Sequence, residues 1–320
     1  MAIFILPKTG NNYWDANSNA RQLYKTLDQG IQQGFFVKDR RWNTTINPPP
    51  YSYWEGGQLK RDATPATIDN MNKADTEYRG GVSYGGNLGT NGVYPDLGRA
   101  EVRDWWGKQY TDLFDAGLQM VWQDMTTPCI KPGAGDMKTF PFRLLLSDDS
   151  VSGRVKKGIL SPALKIQNLY SYNLHKATYK GVQRLESRKG LRNFIIGRGS
   201  FTGQHRFSGT WTGDNTSSWQ FLRINIQQVI SMGIGGTVIT GADVGGFESD
   251  FDTYPNGQLW CDPTLLVRWT LANSLLPWIR NHYNGKPGKK LFQEPYSYFE
   301  NAWRIPSQAQ LYQSVLPICR

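Results

Sequence analysis

Apolar residues recur along the chain in a repeating order: an amphipathic segment, a glycine, a short β-rich run and then a polar loop. Residues 101–116 predict a helix, because their apolar side chains fall on one face and Gly117 supplies a stop. That face comprises Val102, Trp106, Tyr110 and Leu113. Residues 118–122 predict a strand that ends just before Asp124. This alternation is typical of βα units around a parallel sheet.

The same order returns in the second half of the chain. Residues 191–196 predict a buried strand that ends at Arg198. A helix that begins at Trp219 follows it, and residues 237–240 predict the next strand. Asp243 lies just past that strand, so a polar residue again follows an apolar run.

Three more helices are predicted. Residues 23–34 and 161–186 carry apolar side chains at helical spacing. Asp262 followed by Pro263 is the pattern of an N-cap with a proline in the first turn. Pro277 is expected to end or kink the helix that they open.

The strands between these helices are too few for a closed barrel. Residues 44–48, 81–89 and 289–292 predict further short strands, and residues 129–160 form a long excursion. We therefore expect about five or six βα units, short of the eight that a parallel α/β barrel needs. Residues 1–320 are interpreted as one partial α/β barrel domain.

Composition limits the classes of protein to which the chain can belong. A chain of 320 residues with 39% hydrophobic content can bury a large core. The net charge is +10, but Lys and Arg are scattered along the chain and no nucleic-acid-binding motif accompanies them. Nucleic acid is therefore not an expected partner. The N-terminal apolar run is too short for a signal peptide or a membrane span. We expect a cytoplasmic protein that does not bind membranes.

Cysteine and aromatic content add two further expectations. The three cysteines, Cys129, Cys261 and Cys319, are an odd set without metal-ligand spacing, and no metal or organic cofactor is expected. Aromatic residues make up 13% of the chain, with 12 Trp and 16 Tyr. Most should pack in the core, but flat rings also suit a cleft that stacks on sugars.

The candidate chemistry lies just after the predicted strands. In a parallel α/β barrel the active site forms at the carboxyl ends of the strands, where Asp124, Arg198, Asp214 and Asp243 are placed. A single aspartate there is more often a cap or loop former, but three with an arginine favour a site. Two carboxylates, one ionised and one protonated, are the groups that cleave a glycosidic bond. Asp124 and Asp214 would form such a pair.

Six motifs carry a resemblance to a known family. They are VYPDL, VWQDM, GRGSFTGQHRFSGTWTGDNTSSW, GADVGGF, WTLANSLLPWIRNH and QEPYSY. Over about residues 80–315 they occur in the order found in glycoside hydrolase family 31, which the chain resembles. The resemblance implies a (β/α)8 TIM-type barrel that acts on α-linked glucosides by a retaining mechanism. It also implies that the first barrel strand and the flanking β domains are missing from this chain.

The resemblance assigns roles to individual residues. Asp124 matches the nucleophile and Asp214 matches the general acid and base. The implied sugar-contacting residues are Trp122, Met125, Thr127, Arg198, Trp211, Asp243, Phe247 and His282. The expected substrate is an α-1,4-glucan or a maltooligosaccharide.

One departure from the family's pattern decides between reactions. Hydrolases of the family continue past the nucleophile as Asp-Met-Asn-Glu, whereas this chain has Thr126 and Thr127 after Asp124 and Met125. In this difference the chain resembles the α-1,4-glucan lyases, a branch of the family. These enzymes form the same intermediate, eliminate from it and release 1,5-anhydro-D-fructose. The sequence thus favours a lyase. A retaining α-glucosidase and an inactive or carbohydrate-binding fragment stay open as alternatives.

Overall fold

In the computed structural model, the chain groups into two units, Met1–Phe201 and Thr202–Arg320. The residues that the structure describes are 12–15, 18–23, 25–38, 40, 52–55, 58–61, 77–80, 92–126, 144–149, 159–248, 261–284 and 293. Each unit is treated by itself below.

The described residues of the first unit form four antiparallel strand pairs. They are β1 (Asn12–Asp15) with β2 (Ala20–Leu23), β3 (Ser52–Glu55) with β4 (Gln58–Arg61), β5 (Arg79–Gly80) with β6 (Gly92–Val93), and β8 (Leu145–Ser147) with β9 (Leu160–Pro162). Helix α1 (Lys25–Gln32) follows β2. The pattern of apolar residues placed Leu23 in a helix, but it ends a strand instead.

A parallel strand pair forms the part of this unit that carries the candidate site. Strand β7 (Met120–Gln123) pairs with β10 (Phe194–Gly197), in a register that sets Gly197 opposite Gln123. The helices before and between these strands are α2 (Ala100–Lys108), α3 (Thr111–Asp115), α4 (Ala163–Ile166) and α5 (Asn168–Gln183). The predicted βα alternation is therefore confirmed here, with strand bounds shifted by one to three residues.

Helices α2 and α5 pack closely because each has a glycine at their contact. A Cβ added to Gly107 would lie 2.4 Å from the Cα of Gly181, a distance that no side chain tolerates. The apolar core beside this contact includes Val102, Trp106 and Val182, all with at most 1% of their surface exposed. This contact holds α5 where its polar face reaches the strand ends.

The single helix predicted over residues 101–116 is wrong, since the structure divides it into α2 and α3. The break lies at Gln109 and Tyr110, where the amide of Gln109 bonds back only to the carbonyl of Trp106. The hydroxyl of Thr111 donates to the carbonyl of Lys108 at 2.7 Å and replaces a lost helical bond. Leu113, predicted on the buried face, is 41% exposed.

The predicted helix over residues 161–186 is also divided. Residues Leu160–Pro162 form β9, and Gln167 separates the short α4 from α5. Pro162, at the N-cap of α4, ends the strand and is compatible with the start of a helix.

Among the residues described in the second unit are four short strands and two long helices. Its elements are β11 (Gly209–Trp211), α6 (Trp219–Ile234), β12 (Thr240–Gly241), β13 (Asp243–Val244), α7 (Pro263–Asn273) and β14 (Arg280–Asn281). Strand β11 pairs in parallel with β12, and β13 pairs in parallel with β14. Asp243, predicted just past a strand, is the first residue of one. The strand predicted over residues 237–240 overlaps β12 only at Thr240.

Helices α6 and α7 begin with side-chain caps. Ser218 accepts a hydrogen bond from the amide of Phe221 at 3.1 Å, and Asp262 accepts one from the amide of Leu265 at 2.9 Å. The predicted cap at Asp262, with Pro263 in the first turn, is thus confirmed. Helix α7 ends at Asn273, four residues before Pro277.

Several predictions lie outside the described residues. These are the strands at 44–48, 81–89 and 289–292, residue Thr127, and most of the excursion at 129–160. The interpretation of residues 1–320 as one domain stays a prediction. Among the described helices, none has both the length and the apolar character needed to cross a membrane.

Candidate active site

Asp124 stands directly after strand β7, with its carboxylate held on one side. Its Oδ1 accepts a hydrogen bond from the backbone amide of Met125 at 2.6 Å and one from Nη1 of Arg198 at 3.0 Å. The side chains of Asp124 and Arg198 are 32% and 31% exposed. The carboxylate is therefore fixed in place and still open to a substrate.

The register of the parallel pair explains why these two side chains meet. The amide of Arg198 donates to the carbonyl of Gln123 at 2.9 Å, which extends the β7–β10 ladder by one residue. The residues that follow the two strands are thereby placed side by side. The strand-end position of Asp124 and Arg198, predicted from the sequence, is confirmed, and the structure adds their ion pair.

The backbone turns sharply after Asp124. Met125 has a φ of +59°, in the left-handed region that side chains other than glycine seldom adopt. Such a conformation costs free energy and persists where the surroundings hold it. Trp122 and Met125 are both partly exposed beside Asp124, as walls of a sugar site would be.

A buried polar network lies beneath the end of β7. Gln123 donates from Nε2 to the hydroxyls of Tyr110 at 3.1 Å and Thr178 at 2.7 Å. Its Oε1 lies 2.7 Å from Nδ1 of His175, which therefore carries the proton. Burial raises the pKa of Tyr110 to about 12 and lowers the pKa of His175 to about 4. Both groups are thus neutral near pH 7.

Two hydroxyls from different elements join the loops that carry Asp124 and Arg198. The hydroxyl of Thr126 donates to the carbonyl of Arg198. Ser171 of α5 donates to the carbonyl of Thr126 at 2.8 Å and lies 3.2 Å from its hydroxyl oxygen. Thr126 and Ser171 are 3% and 2% exposed. We call Thr126, Ser171 and the Arg198 carbonyl the clasp.

The second unit holds a buried ion pair beneath an aromatic ring. Asp243 is wholly buried, and its Oδ1 accepts from Nε of Arg280 at 2.9 Å and lies 2.8 Å from Nη2. The register of β13 and β14 sets these two residues opposite each other. The guanidinium of Arg280 lies over the ring of Trp211, 5.5 Å from its centroid. Trp211 and Asp243, both predicted site residues, are thus connected by Arg280.

Phe247 and His282 form a second aromatic group in this unit. Their rings stack with centroids 5.1 Å apart and planes inclined by 29°. Phe247 is held by its amide, which donates to the carbonyl of Asn215 at 2.7 Å, and by its carbonyl, which accepts from the amide of Asn284 at 2.8 Å. His282 is exposed, so its ring can meet a ligand.

Asp214 is exposed and lies in a turn that its neighbours make rigid. Gly213 before it has a φ of +89°. Asn215 after it is 1% exposed, and its side-chain amide donates to the hydroxyl of Thr212 at 2.7 Å. Its backbone carbonyl accepts hydrogen bonds from the amides of Phe247 and Glu248. The turn thus presents Asp214 to solvent from a fixed backbone, as a proton donor requires.

The structure groups six of the nine described site residues into three pairs. Asp124 and Arg198 meet in the first unit, Trp211 and Asp243 meet through Arg280 in the second, and Phe247 stacks on His282. Thr127 lies outside the described residues. Sequence reasoning did not select Arg280, Ser171 or His175, and it singled out Thr126 only as a departure from the hydrolase pattern. Arg280 lies in the quoted motif two residues before His282, which was the one available signal.

The His, Cys, Asp and Glu side chains of the described residues are dispersed. No group of three or more His, Cys, Asp or Glu side chains there is arranged to hold an ion. Cys261 is buried, which raises the pKa of its thiol to about 12 and keeps it protonated.

Comparison with known proteins supports the fold and the family. Residues 11–316 match the model of the glycosyl hydrolases family 31 TIM-barrel domain, which confirms the predicted α/β barrel fold class. Neutral alpha-glucosidase AB of Homo sapiens is 30% identical over 287 residues, which are 83% of this chain and 27% of that protein. Alpha-glucosidase 2 of Bacillus thermoamyloliquefaciens is 30% identical over 203 residues, which are 63% of this chain and 23% of that protein.

A solved structure gives the same fold. The α-1,4-glucan lyase of Gracilariopsis lemaneiformis superposes with a TM-score of 0.68 at 24% identity, over 92% of this chain and 29% of that one. That structure is a covalent intermediate complex with 5-fluoro-idosyl-fluoride. This chain spans about a quarter of the length of the relatives that it matches.

Proposed function

The chain belongs to glycoside hydrolase family 31, and we propose that it acts in an α-1,4-glucan lyase. The reaction releases terminal glucose units from starch, glycogen or maltooligosaccharides as 1,5-anhydro-D-fructose. One observation carries the proposal. A fixed, accessible carboxylate at a strand end, Asp124, is followed by Thr126 and Thr127 in place of the Asn and Glu of the family's hydrolases.

The first step is transfer of the glucosyl group to Asp124. A carboxylate oxygen forms a bond to C1 of the terminal glucose, and the bond from C1 to the glycosidic oxygen breaks. Asp214 gives its proton to the departing oxygen. Oδ1 of Asp124 is engaged by Arg198 and by the amide of Met125, which leaves Oδ2 as the oxygen that attacks.

The second step is elimination. The bond from C1 to the Asp124 oxygen breaks, and the proton on C2 becomes acidic beside the developing positive charge at C1. The departing carboxylate takes that proton, and the electrons of the C2–H bond form a C1=C2 double bond. The resulting enol takes a proton at C1 and loses the proton of its C2 hydroxyl, which gives the ketone 1,5-anhydro-D-fructose. No water enters the product, Asp124 returns its proton to solvent, and Asp214 takes one up again.

The two threonines support elimination over hydrolysis. Hydrolysis of the intermediate needs a water that is positioned and deprotonated near C1. Replacing a glutamate with Thr127 removes a charge and a hydrogen-bond acceptor close to the nucleophile, which disfavours that water. Thr126 contributes a hydroxyl that is already engaged with Arg198 and Ser171.

A retaining α-glucosidase is the second candidate. It is favoured by two relatives at 30% identity, both of which are named α-glucosidases. Lyase and glucosidase share the first step and differ only in how the glucosyl ester on Asp124 is resolved. A cytoplasmic location, an α-1,4-glucan or maltooligosaccharide as partner, and the expectation that neither nucleic acid nor membranes are bound stay predictions.

Product analysis tests the proposal. The protein is incubated with maltose, and the products are analysed by mass spectrometry. A lyase gives equal amounts of glucose and of a product lighter than glucose by one water. The double substitution Thr126→Asn with Thr127→Glu should raise the share of glucose. Glucose as the sole product of the unaltered protein would contradict the proposal, and unaltered maltose would favour a binding fragment.

A further inference from the structure

Resting on the proposed function, we infer that the clasp is a positioning device for the nucleophile, in which the hydroxyl of Thr126 sets the geometry of the Asp124–Arg198 pair. Thr126 is the residue at which the chain departs from the Asp-Met-Asn-Glu pattern of the family's hydrolases. It touches neither carboxylate oxygen of Asp124, so any effect on the reaction passes through Arg198 and the backbone.

Arg198 is held through both of its backbone groups, one by the strand pairing and the other by the clasp. The amide of Arg198 is fixed by the carbonyl of Gln123 at 2.9 Å. The carbonyl of Arg198 is fixed by the hydroxyl of Thr126. With both backbone groups bonded to the segment that carries Asp124, the guanidinium leaves the backbone at a defined point and reaches Oδ1 at 3.0 Å.

Ser171 supplies the clasp's anchor to the rest of the unit. It lies near the start of α5, a helix of 16 residues, and its hydroxyl donates to the carbonyl of Thr126 at 2.8 Å. Both hydroxyls are almost fully buried, so water does not compete for them. One turn later on the same helix, His175 contacts the Gln123 side chain at 2.7 Å. Helix α5 thus fixes both ends of the short segment that contains Asp124.

Gly199 lets the second loop approach the clasp. A Cβ at this position would lie 2.6 Å from Oγ of Ser171 and 3.2 Å from Oγ1 of Thr126. Its φ of +79° also favours glycine. The loop after β10 therefore rests on the two hydroxyls, and a larger side chain at residue 126 would displace it.

The clasp also explains how Met125 keeps its backbone conformation. A methionine at φ +59° is strained, and the residues on both sides of it are tied down. Asp124 is held by Arg198, and Thr126 is held by Ser171 and the Arg198 carbonyl. In this conformation the amide of Met125 points at Oδ1 of Asp124, 2.6 Å away.

Three variants test the inference. Thr126→Val removes the hydroxyl and keeps the branched shape, Thr126→Ser keeps the hydroxyl, and Thr270→Val is the matched control. Thr270 also donates a buried hydroxyl to a backbone carbonyl, that of Leu266 at 2.8 Å, within α7 and away from the clasp. The readout is release of 4-nitrophenol from 4-nitrophenyl α-D-glucopyranoside, which reports glucosyl transfer to Asp124 whichever product follows.

Thr126→Val should lower kcat by roughly 10- to 100-fold, because a misplaced nucleophile slows the chemical step. KM should change less than kcat, since Arg198 is displaced and the other predicted sugar-contacting residues stay in place. Thr126→Ser should recover most of the lost rate, and Thr270→Val should match the unaltered protein. Equal kcat in Thr126→Val and Thr270→Val would overturn the inference, as would a loss that appears only in KM.

A crystal structure of Thr126→Val supplies a readout that is independent of activity. We expect the distance from Nη1 of Arg198 to Oδ1 of Asp124 to lengthen from 3.0 Å beyond hydrogen-bond range. An unchanged distance would overturn the inference. Product identity plays no part in either readout, so a glucose product would refute the lyase and leave the positioning claim to these measurements. An unaltered protein that cleaves no glucoside would refute the proposed function, and the crystal distance would then decide the claim.

Discussion

The two units each contain an aspartate at a parallel strand paired with an arginine, and the two pairs differ in exposure. Asp124 and Arg198 are 32% and 31% exposed, at a distance of 3.0 Å. Asp243 is 0% exposed and Arg280 is 19% exposed, at a distance of 2.8 Å. The first carboxylate can reach a substrate, whereas the second is enclosed beneath Trp211. A similar position at a parallel strand thus yields an accessible carboxylate in one unit and a buried one in the other.

The largest expected effect comes from Asp124→Asn. A carboxamide cannot attack C1 or accept the C2 proton, so turnover should fall by roughly 10⁴-fold or more. The partly exposed pair of Asp124 and Arg198 contributes at most about 1 kcal/mol to the free energy of unfolding. That free energy should therefore change little. Steady-state kinetics on maltose and urea denaturation measure the two quantities. Turnover within tenfold of the unaltered protein would remove Asp124 from the chemistry.

The buried pair should show the reverse behaviour. Arg280→Met leaves the Asp243 carboxylate buried without its cation, which should lower the free energy of unfolding by about 3–5 kcal/mol. Arg198→Met is the matched variant. Its partner, Asp124, is 32% exposed, so the free energy of unfolding should fall by about 1 kcal/mol or less. Urea denaturation of both variants compares them directly. Equal losses would show that exposure does not separate the two pairs.

Acid should destabilise the first unit through His175. Its pKa in the folded protein, about 4, lies below the ordinary 6.5, so the unfolded chain takes up this proton first. The stability that neutral His175 confers is complete above about pH 6.5 and is lost as the pH falls toward 4, by roughly 3 kcal/mol. His175→Gln removes the titration and should flatten this part of the stability curve.

The control for this experiment is His205→Gln, which removes an exposed imidazole in the second unit. Burial also raises the pKa of the Asp96 carboxyl. The free-energy cost of burying its charge is relieved when the carboxyl takes up a proton as the pH falls. That contribution is common to the parent and the variant and cancels in their difference. A His175→Gln curve parallel to that of the parent between pH 6.5 and 4 would contradict the assignment.

Local sequence predicted those features that have local causes. The cap at Asp262 with Pro263 depends on neighbouring residues, and the pattern of apolar runs predicted strands that end at Asp124 and Arg198. The break between α2 and α3 was missed because Tyr110 serves a buried network with Gln123 and Thr178, which no helical periodicity reveals.

Partners that lie far apart in the sequence escaped prediction. Asp243 was selected for its strand-end position, but its burial is set by Arg280, 37 residues later. Ser171 meets Thr126 across 45 residues. A single sequence indicates residue types and periodicity, and it does not indicate which polar side chains pair across a fold. The accessible aspartate and the buried one could therefore not be distinguished from the sequence.

The most direct test of the lyase reaction follows the proton on C2. Maltose with deuterium at C2 of its non-reducing glucose is given to the protein, and the products are analysed by mass spectrometry. Elimination breaks the bond from C2 to deuterium, so we predict a product lighter than glucose by one water and free of the label. Glucose that retains the deuterium, with no lighter product, would contradict elimination and identify the protein as a hydrolase.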